Sequence, residues 1–546
     1  MKTKKIFAGF LFMALFFASG CSTNSRLYPS YTNGTEVINV KQGSLQGIKL
    51  TSRQVELFAG IPYAETPVGS LRWKEPVPKA SWQGTLKADH FAPIAWQSRD
   101  SKFVQWIYRT FIYHNNGDRQ DFAECSEDCL YLNIWRPENI KADEKLPVLF
   151  YIHGGSLMTG SSMYESYDGA TMAENNVIMV TVAYRLGVFG YLALDELQKE
   201  SPNNTTGNYG LLDQIEALRW VHENIEAFGG DSNNITIAGE SAGATSVSAL
   251  CVSPLAKGLF KRAIAESSGA VVKRPPHTYR EMSKAKETGK AIMQEYKVST
   301  LEELRSISAK KLIKTKYRND SITVDGYAIK ERPYDTYKKG LNNEEAILGG
   351  FNANEAYFFN FFGEKITLKN YEMRLTAYFG DYAKEIIELY PAANDDEARK
   401  NWDQICGALW FSNSHHVWSN LLTEQGKDAY EYYFTKENGG IGTNHSGEII
   451  YAYGNVPLSK YYTKEDHDLE KAMVSYLINF VTKGNPNGTN VFTKEELPFT
   501  IKRTKIKIET VKKKMLEDIG FLWDPNLDRW DENYAILKEY VEVYGE

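Results

Sequence analysis

Cysteine is scarce. The five present, Cys21, Cys125, Cys129, Cys251 and Cys406, are too few to staple a chain of 546 residues, which excludes a disulfide scaffold and leaves stability to a buried apolar core. Hydrophobic residues make up 42 % of the chain, enough to build one. Clusters of Lys and Arg are missing as well. With a formal net charge of -6, the chain lacks the basic footprint of a nucleic-acid binder. No His/Cys/Asp group has metal-ligand spacing, so no metal is implied. Linkers, low-complexity tracts and internal repeats are also absent, and nothing divides residues 35–546 into separate domains.

Long hydrophobic runs are lacking too, apart from one. Ile6 to Ala18 follows the positive stretch Lys2, Lys4 and Lys5 and is too short for a comfortable membrane span. The small residues Ala18-Ser19-Gly20 and then Cys21 come next. The segment resembles a bacterial lipoprotein signal, although Ala18 stands where the lipobox more often has Leu. That resemblance implies a signal peptide over 1–20, cleavage before Cys21 and lipid on its sulfur. The mature protein would then be anchored to a membrane of the bacterial cell envelope, with 21–34 as a flexible tether. An ordinary secretory signal followed by a chance cysteine is the alternative.

From Val37 onward the patterns alternate. Val37–Val40, Gly43–Leu50 and Val55–Gly60 read as a β-meander with period-two patterning. Residues 61–78 are rich in turns. Residues 91–129 form a long irregular segment carrying Trp96, Trp106, Tyr108, Phe111 and Tyr113, and its aromatics argue for either a lid or gorge wall or ordinary satellite packing. Leu130–Trp135, Val148–Ile152, Val177–Ala183 and Ile235–Ala238 are apolar strands, and Leu211–Ala227 is an amphipathic helix. Buried strands alternating with helices give an α/β class with a mostly parallel sheet covered on both faces. Residues 276–345 read as a helical cap insertion, Glu344–Gly349 and Asp428–Phe434 as later strands, and Lys464–Lys483 as a helix.

The most informative stretch is Gly239-Glu240-Ser241-Ala242-Gly243. It is a G-x-S-x-G pattern between a β-branched strand and a helical run. Two residues without Cβ let strand and helix meet in a tight turn, leaving Ser241 exposed at its apex. A serine hydroxyl needs a base, and the base needs an orienting group. In this strand–elbow–helix arrangement the acid and then the His follow the serine in chain order. His445, in the Gly-bounded loop Gly442–Glu448, is the candidate base. His415-His416 is its rival, whereas His277 and His467 sit in polar, helix-like surroundings. Glu355, just past a strand end, is the candidate acid. Asp325, in an Asp-Gly turn, is the runner-up. The turn His153-Gly154-Gly155-Ser156, together with the amide of Ala242, can supply oxyanion donors.

Together with Ser126–Asn133, Tyr184–Gly187, Asn208–Gln214 and Phe228–Asp231, these motifs resemble the type-B carboxylesterase and cholinesterase family of α/β-hydrolases. The resemblance implies an α/β-hydrolase fold with an N-terminal meander and helical insertions. It also implies a serine carboxylesterase acting on small ester substrates without a cofactor. Position by position, it marks Ser241 as nucleophile, Glu355 as acid, His445 as base, and Gly155, Ser156 and Ala242 as oxyanion-hole donors. Ser156 departs from a usual Gly, Leu157 from an aromatic and Ala356 from a Gly. Trp96 lies near the place of a cysteine that would pair with Cys129, which leaves Cys125–Cys129 as the possible disulfide. The family also includes non-catalytic adhesion proteins that lack the serine, and this chain keeps it.

Overall fold

The computed structural model describes residues 33–497 except 100–104, 106–117, 142, 269, 273–277, 362, 364, 381–382 and 438–442. The expected signal, Cys21, most of the tether, His277, and Trp106, Tyr108, Phe111 and Tyr113 of the aromatic segment lie outside that range. Among the described residues nine strands form the central sheet: β1 (Ile48–Leu50), β2 (Val55–Pro62), β3 (Tyr131–Pro137), β4 (Leu146–Ile152), β5 (Ile178–Val182), β6 (Gly230–Glu240), β7 (Arg262–Glu266), β8 (Ala346–Asn352) and β9 (Asp428–Phe434). Their order is β9-β8-β7-β6-β4-β5-β3-β2-β1. Strands β4 to β9 run parallel, and β3, β2 and β1 continue the sheet antiparallel. Every residue of β4, β5, β7 and β8 is buried, as a sheet covered on both faces requires.

The helix α1 (Tyr209–Asn224) and α2 (Ala242–Val252) pack on one face and α3 (Lys464–Lys483) on the other. The loop after β5 is locked to α1 by a buried ion pair. Arg185 donates from Nη2 to Asp213 Oδ1 at 2.6 Å and from Nε to Oδ2 at 2.8 Å, and Asp213 also accepts the Arg185 backbone amide. Breaking one side of such a pair costs about 3–5 kcal/mol, because the remaining charge stays buried.

Three sequence expectations are corrected. The meander splits at Gly47, where an added Cβ would strike the Leu57 carbonyl. Ile38–Val40 and Gly43–Gln46 form a small separate sheet with Thr85–Lys87, and only the later strands join the main sheet. The strand expected at Glu344–Gly349 starts at Ala346 and continues to Asn352. Cys125 and Cys129 are both free thiols and form no disulfide. Cys129 is buried in the main core, whereas Cys125 packs against a different cluster around Phe91 and Trp135. The helices expected over 276–345 are present, Met282–Tyr296 being the longest. A further helical stretch between β8 and β9, from Leu368 to Glu424, was not read from the sequence.

Candidate active site

At the end of β6 the chain turns sharply into α2. Ser241 occupies the apex at φ 57° and ψ -122°, a conformation an L-residue rarely adopts. A Cβ on Gly239 would fall 2.6 Å from the Gly243 backbone, and one on Gly243 would collide with the Ile152 carbonyl. Only glycine permits this crossing of β4, β6 and α2. Backbone contacts hold the apex. The Ser241 amide donates to the Glu266 carbonyl at 2.8 Å, and its carbonyl accepts from Thr245 at 3.0 Å.

The carboxyl end of β8 leads into Glu355, and the loop after β9 leads into His445. The Asn354 amide donates to the Thr443 carbonyl at 2.9 Å, and the Thr443 amide returns to Asn354 Oδ1 at 3.0 Å, which stitches the two loops together. His445 Nδ1 and Glu355 Oε2 lie 2.6 Å apart. A carboxylate there only accepts, so Nδ1 carries a proton, and in the neutral ring Nε2 is the acceptor. Among the described residues Nε2 has no hydrogen-bond partner. It lies 3.1 Å from Glu240 Oε1, close enough for charge attraction but not aligned as a hydrogen bond. Glu240 directly precedes Ser241, so the open nitrogen of the imidazole stands beside the elbow.

Burial by itself would lower the His445 pKa. The flanking carboxylates of Glu240 and Glu355 outweigh it and raise the pKa to about 9. Burial is also the main force raising Glu240, Glu448 and Glu266, the last to about 8. Glu355 accepts in addition from the Asn352 amide at 2.7 Å and from Ser267 Oγ. Phe411, in the π-helical turn Ala408–Ser412, places its ring 4.6 Å from the imidazole, and Phe359 lies at 5.2 Å. Together they wall the base from solvent on that side.

After β4, Gly154, Gly155 and Ser156 run past the elbow, and a Cβ on Gly154 would lie 3.1 Å from Ser241 Cβ. Gly155, Ser156 and Leu157 all have positive φ, at 102°, 55° and 56°. The loop is held from outside. Buried Gln97 accepts the Gly160 amide at 2.9 Å and donates to the Gly160 carbonyl at 2.8 Å. His153 stacks on Tyr184, and burial lowers its pKa to about 4, so it remains a neutral strut. Ala242 begins α2 directly after the serine.

The runners-up lie elsewhere. Asp325 closes its own turn by accepting the Tyr327 and Ile329 amides, and it also accepts from Thr205 Oγ1. His415 accepts the Ser268 amide at 3.1 Å, and His416 pairs with Glu431 at 3.2 Å. Both are buried inside the helical face of the sheet. His467 sits on α3 beside Glu470. Among the described residues no group of His, Cys, Asp or Glu could hold a metal ion. Sequence reasoning missed Glu240, Ser267, Ser446 and Glu448, the polar residues that surround the imidazole and its acid. The only signal was their place inside the motifs: a charged residue at the end of an apolar strand, and Ser-Gly-Glu directly after His445.

A model of the carboxylesterase family matches residues 34–517. The chain is similar to a fumonisin B1 esterase of Sphingopyxis macrogoltabida, 34 % identical over 77 % of this chain and 75 % of the relative. It is also similar to a medium-chain fatty acyl-CoA hydrolase precursor of Anas platyrhynchos, 31 % identical over 82 % and 84 %. A cholinesterase of Mus musculus is 32 % identical over 88 % and 85 %.

Proposed function

The chain belongs to the carboxylesterase family and is a carboxylic-ester hydrolase, and on that premise we propose that it works through an acyl-enzyme on Ser241. His445 removes the Ser241 proton through Nε2 as Oγ attacks the ester carbonyl. The imidazolium then protonates the departing alcohol, and the neutral imidazole activates water for deacylation. Glu355 fixes the tautomer and stabilises the imidazolium. The amides of Gly155, Ser156 and Ala242 receive the developing oxyanion. The observation that carries this reading is the 2.6 Å Glu355–His445 contact beside a serine held at an elbow of positive φ.

Acyl specificity is tested at Ser156. Its φ of 55° means that Ser156→Gly relieves backbone strain of about 1 kcal/mol instead of loosening the loop. Donation needs only the amide, so activity on a p-nitrophenyl acetate should change by less than about tenfold. Branched or aromatic acyl esters should gain relative to acetate, because a side chain leaves the wall beside the carbonyl. Measuring kcat/KM across such a panel checks this. A thousandfold loss on every ester would mean that the hydroxyl itself takes part.

We further propose a lipid anchor at Cys21 that holds the enzyme to an envelope membrane. Among the described residues no helix is long and apolar enough to cross a membrane. The several acyl chains of a bacterial lipoprotein would suffice for stable attachment. Cys21→Ser should move the enzyme from the membrane pellet to the supernatant. A variant still found in the pellet would refute the anchor.

A further inference from the structure

Ser446 follows His445 directly and stands at φ 67°, in the region that favours glycine. A residue kept there against its preference calls for a compensating contact. Ser446 has one: its Oγ donates to Glu240 Oε1 at 2.5 Å, across 206 residues of chain. That same carboxylate oxygen lies 3.1 Å from His445 Nε2. The strained serine, the buried carboxylate and the open nitrogen of the base therefore form one chain of contacts ending at the elbow. We propose that Ser446 is a positioning residue whose hydroxyl holds Glu240 as a carboxylate against His445 Nε2, strengthening the base at the expense of activity at lower pH. The inference rests on His445 being the general base.

Among the described residues the charged groups acting on this pair are all acidic. His445 faces Glu240 from β6, Glu355 from the loop after β8, and Glu448 from its own loop. Glu355 also acts on Glu240, and Glu240 in turn raises the pKa of Glu266 at the end of β7, which accepts from Tyr453 at 2.9 Å and Tyr432 at 3.3 Å. Phe359 and Phe411 cover the remaining side and carry no charge. One proton is thus shared between Glu240 and His445 in two arrangements. With Glu240 protonated, the imidazole is neutral and can accept the serine proton. With Glu240 ionised, the imidazole is already an imidazolium and cannot. The hydroxyl of Ser446 stabilises the ionised Glu240 more than the protonated one, as a donor to a charged acceptor does. It therefore favours the imidazolium in the resting enzyme. It also leaves a carboxylate beside the imidazolium that forms in the transition state, where it lowers the barrier.

Loss of the hydroxyl has two opposite consequences. The alkaline plateau of kcat/KM should fall several-fold, because Glu240 stabilises the transient imidazolium less. The ratio of kcat/KM at pH 6.5 to that plateau should rise about three- to tenfold, as the neutral imidazole becomes populated at lower pH. Ser446→Ala keeps the strained φ and Ser446→Gly relieves it, so the two should share the same pH behaviour while Ser446→Gly melts higher. A packing role alone would move stability and leave the ratio unchanged.

The decisive experiment is the pH profile of kcat/KM in wild type, Ser446→Gly, Glu240→Gln and the double variant. Glu240→Gln should raise the ratio as well, and Ser446→Gly should then add nothing, because its hydroxyl has lost the carboxylate it acts through. An unchanged ratio in Ser446→Gly, or an undiminished effect in the Glu240→Gln background, would overturn the proposal. A His445→Gln enzyme keeping more than a tenth of wild-type activity would instead remove the base itself, and this proposal with it.

Discussion

Replacing Ser241 with alanine should lower kcat for ester hydrolysis by on the order of 10⁴–10⁶ and leave the fold intact. The loss is large because the oxygen that attacks the ester carbonyl is itself removed. The residual rate would come from the oxyanion donors and from substrate binding. The fold should survive because the apex is held by its backbone, through the Glu266 carbonyl and the Thr245 amide, and alanine keeps both contacts. The melting temperature should therefore shift by no more than a few degrees, and KM should change little. A variant retaining more than a tenth of wild-type kcat would place the nucleophile elsewhere.

Glu355→Gln is expected to cost roughly 10²–10⁴ in kcat. The mechanism follows from what Glu355 touches. Its Oε1 accepts from the Asn352 amide and from Ser267, and a glutamine carbonyl oxygen can keep both bonds. That choice turns the amide NH₂ toward His445 Nδ1. Nδ1 must then accept, the ring proton moves to Nε2, and the nitrogen meant to take the serine proton becomes a donor. The imidazolium also loses its countercharge. Asp325→Asn serves as the control: Asp325 closes a turn and accepts from Thr205, so activity should remain within a few-fold of wild type. A crippling Asp325→Asn beside a mild Glu355→Gln would reverse the assignment.

What the sequence revealed and what it hid follow a physical division. The elbow was legible because its constraints are local: two glycines, a strand and a helix within a dozen residues demand one geometry. Glu355 and His445 were legible by their places after strands, since a parallel sheet gathers its loops at the carboxyl ends. The split of the meander was hidden, because Gly47 looks like any strand glycine until the Leu57 carbonyl is seen against it. The helices between β8 and β9 were missed although Ala398, Trp402, Ile405 and Cys406 recur at helical spacing and are buried together. The role of the other glutamates around His445 was hidden. Glu240 and Glu448 are separated by 208 residues of sequence, and nothing in one loop announces that another will press a carboxylate against the same imidazole.

The identity of the nucleophile is tested most directly by covalent labelling. The enzyme would be treated with a fluorophosphonate ester, digested, and mapped by mass spectrometry. A single adduct on Ser241, formed in step with loss of activity and absent in Glu355→Gln or His445→Gln under the same exposure, is the predicted result. An adduct on a different serine, or complete inactivation with Ser241 unmodified, would contradict it.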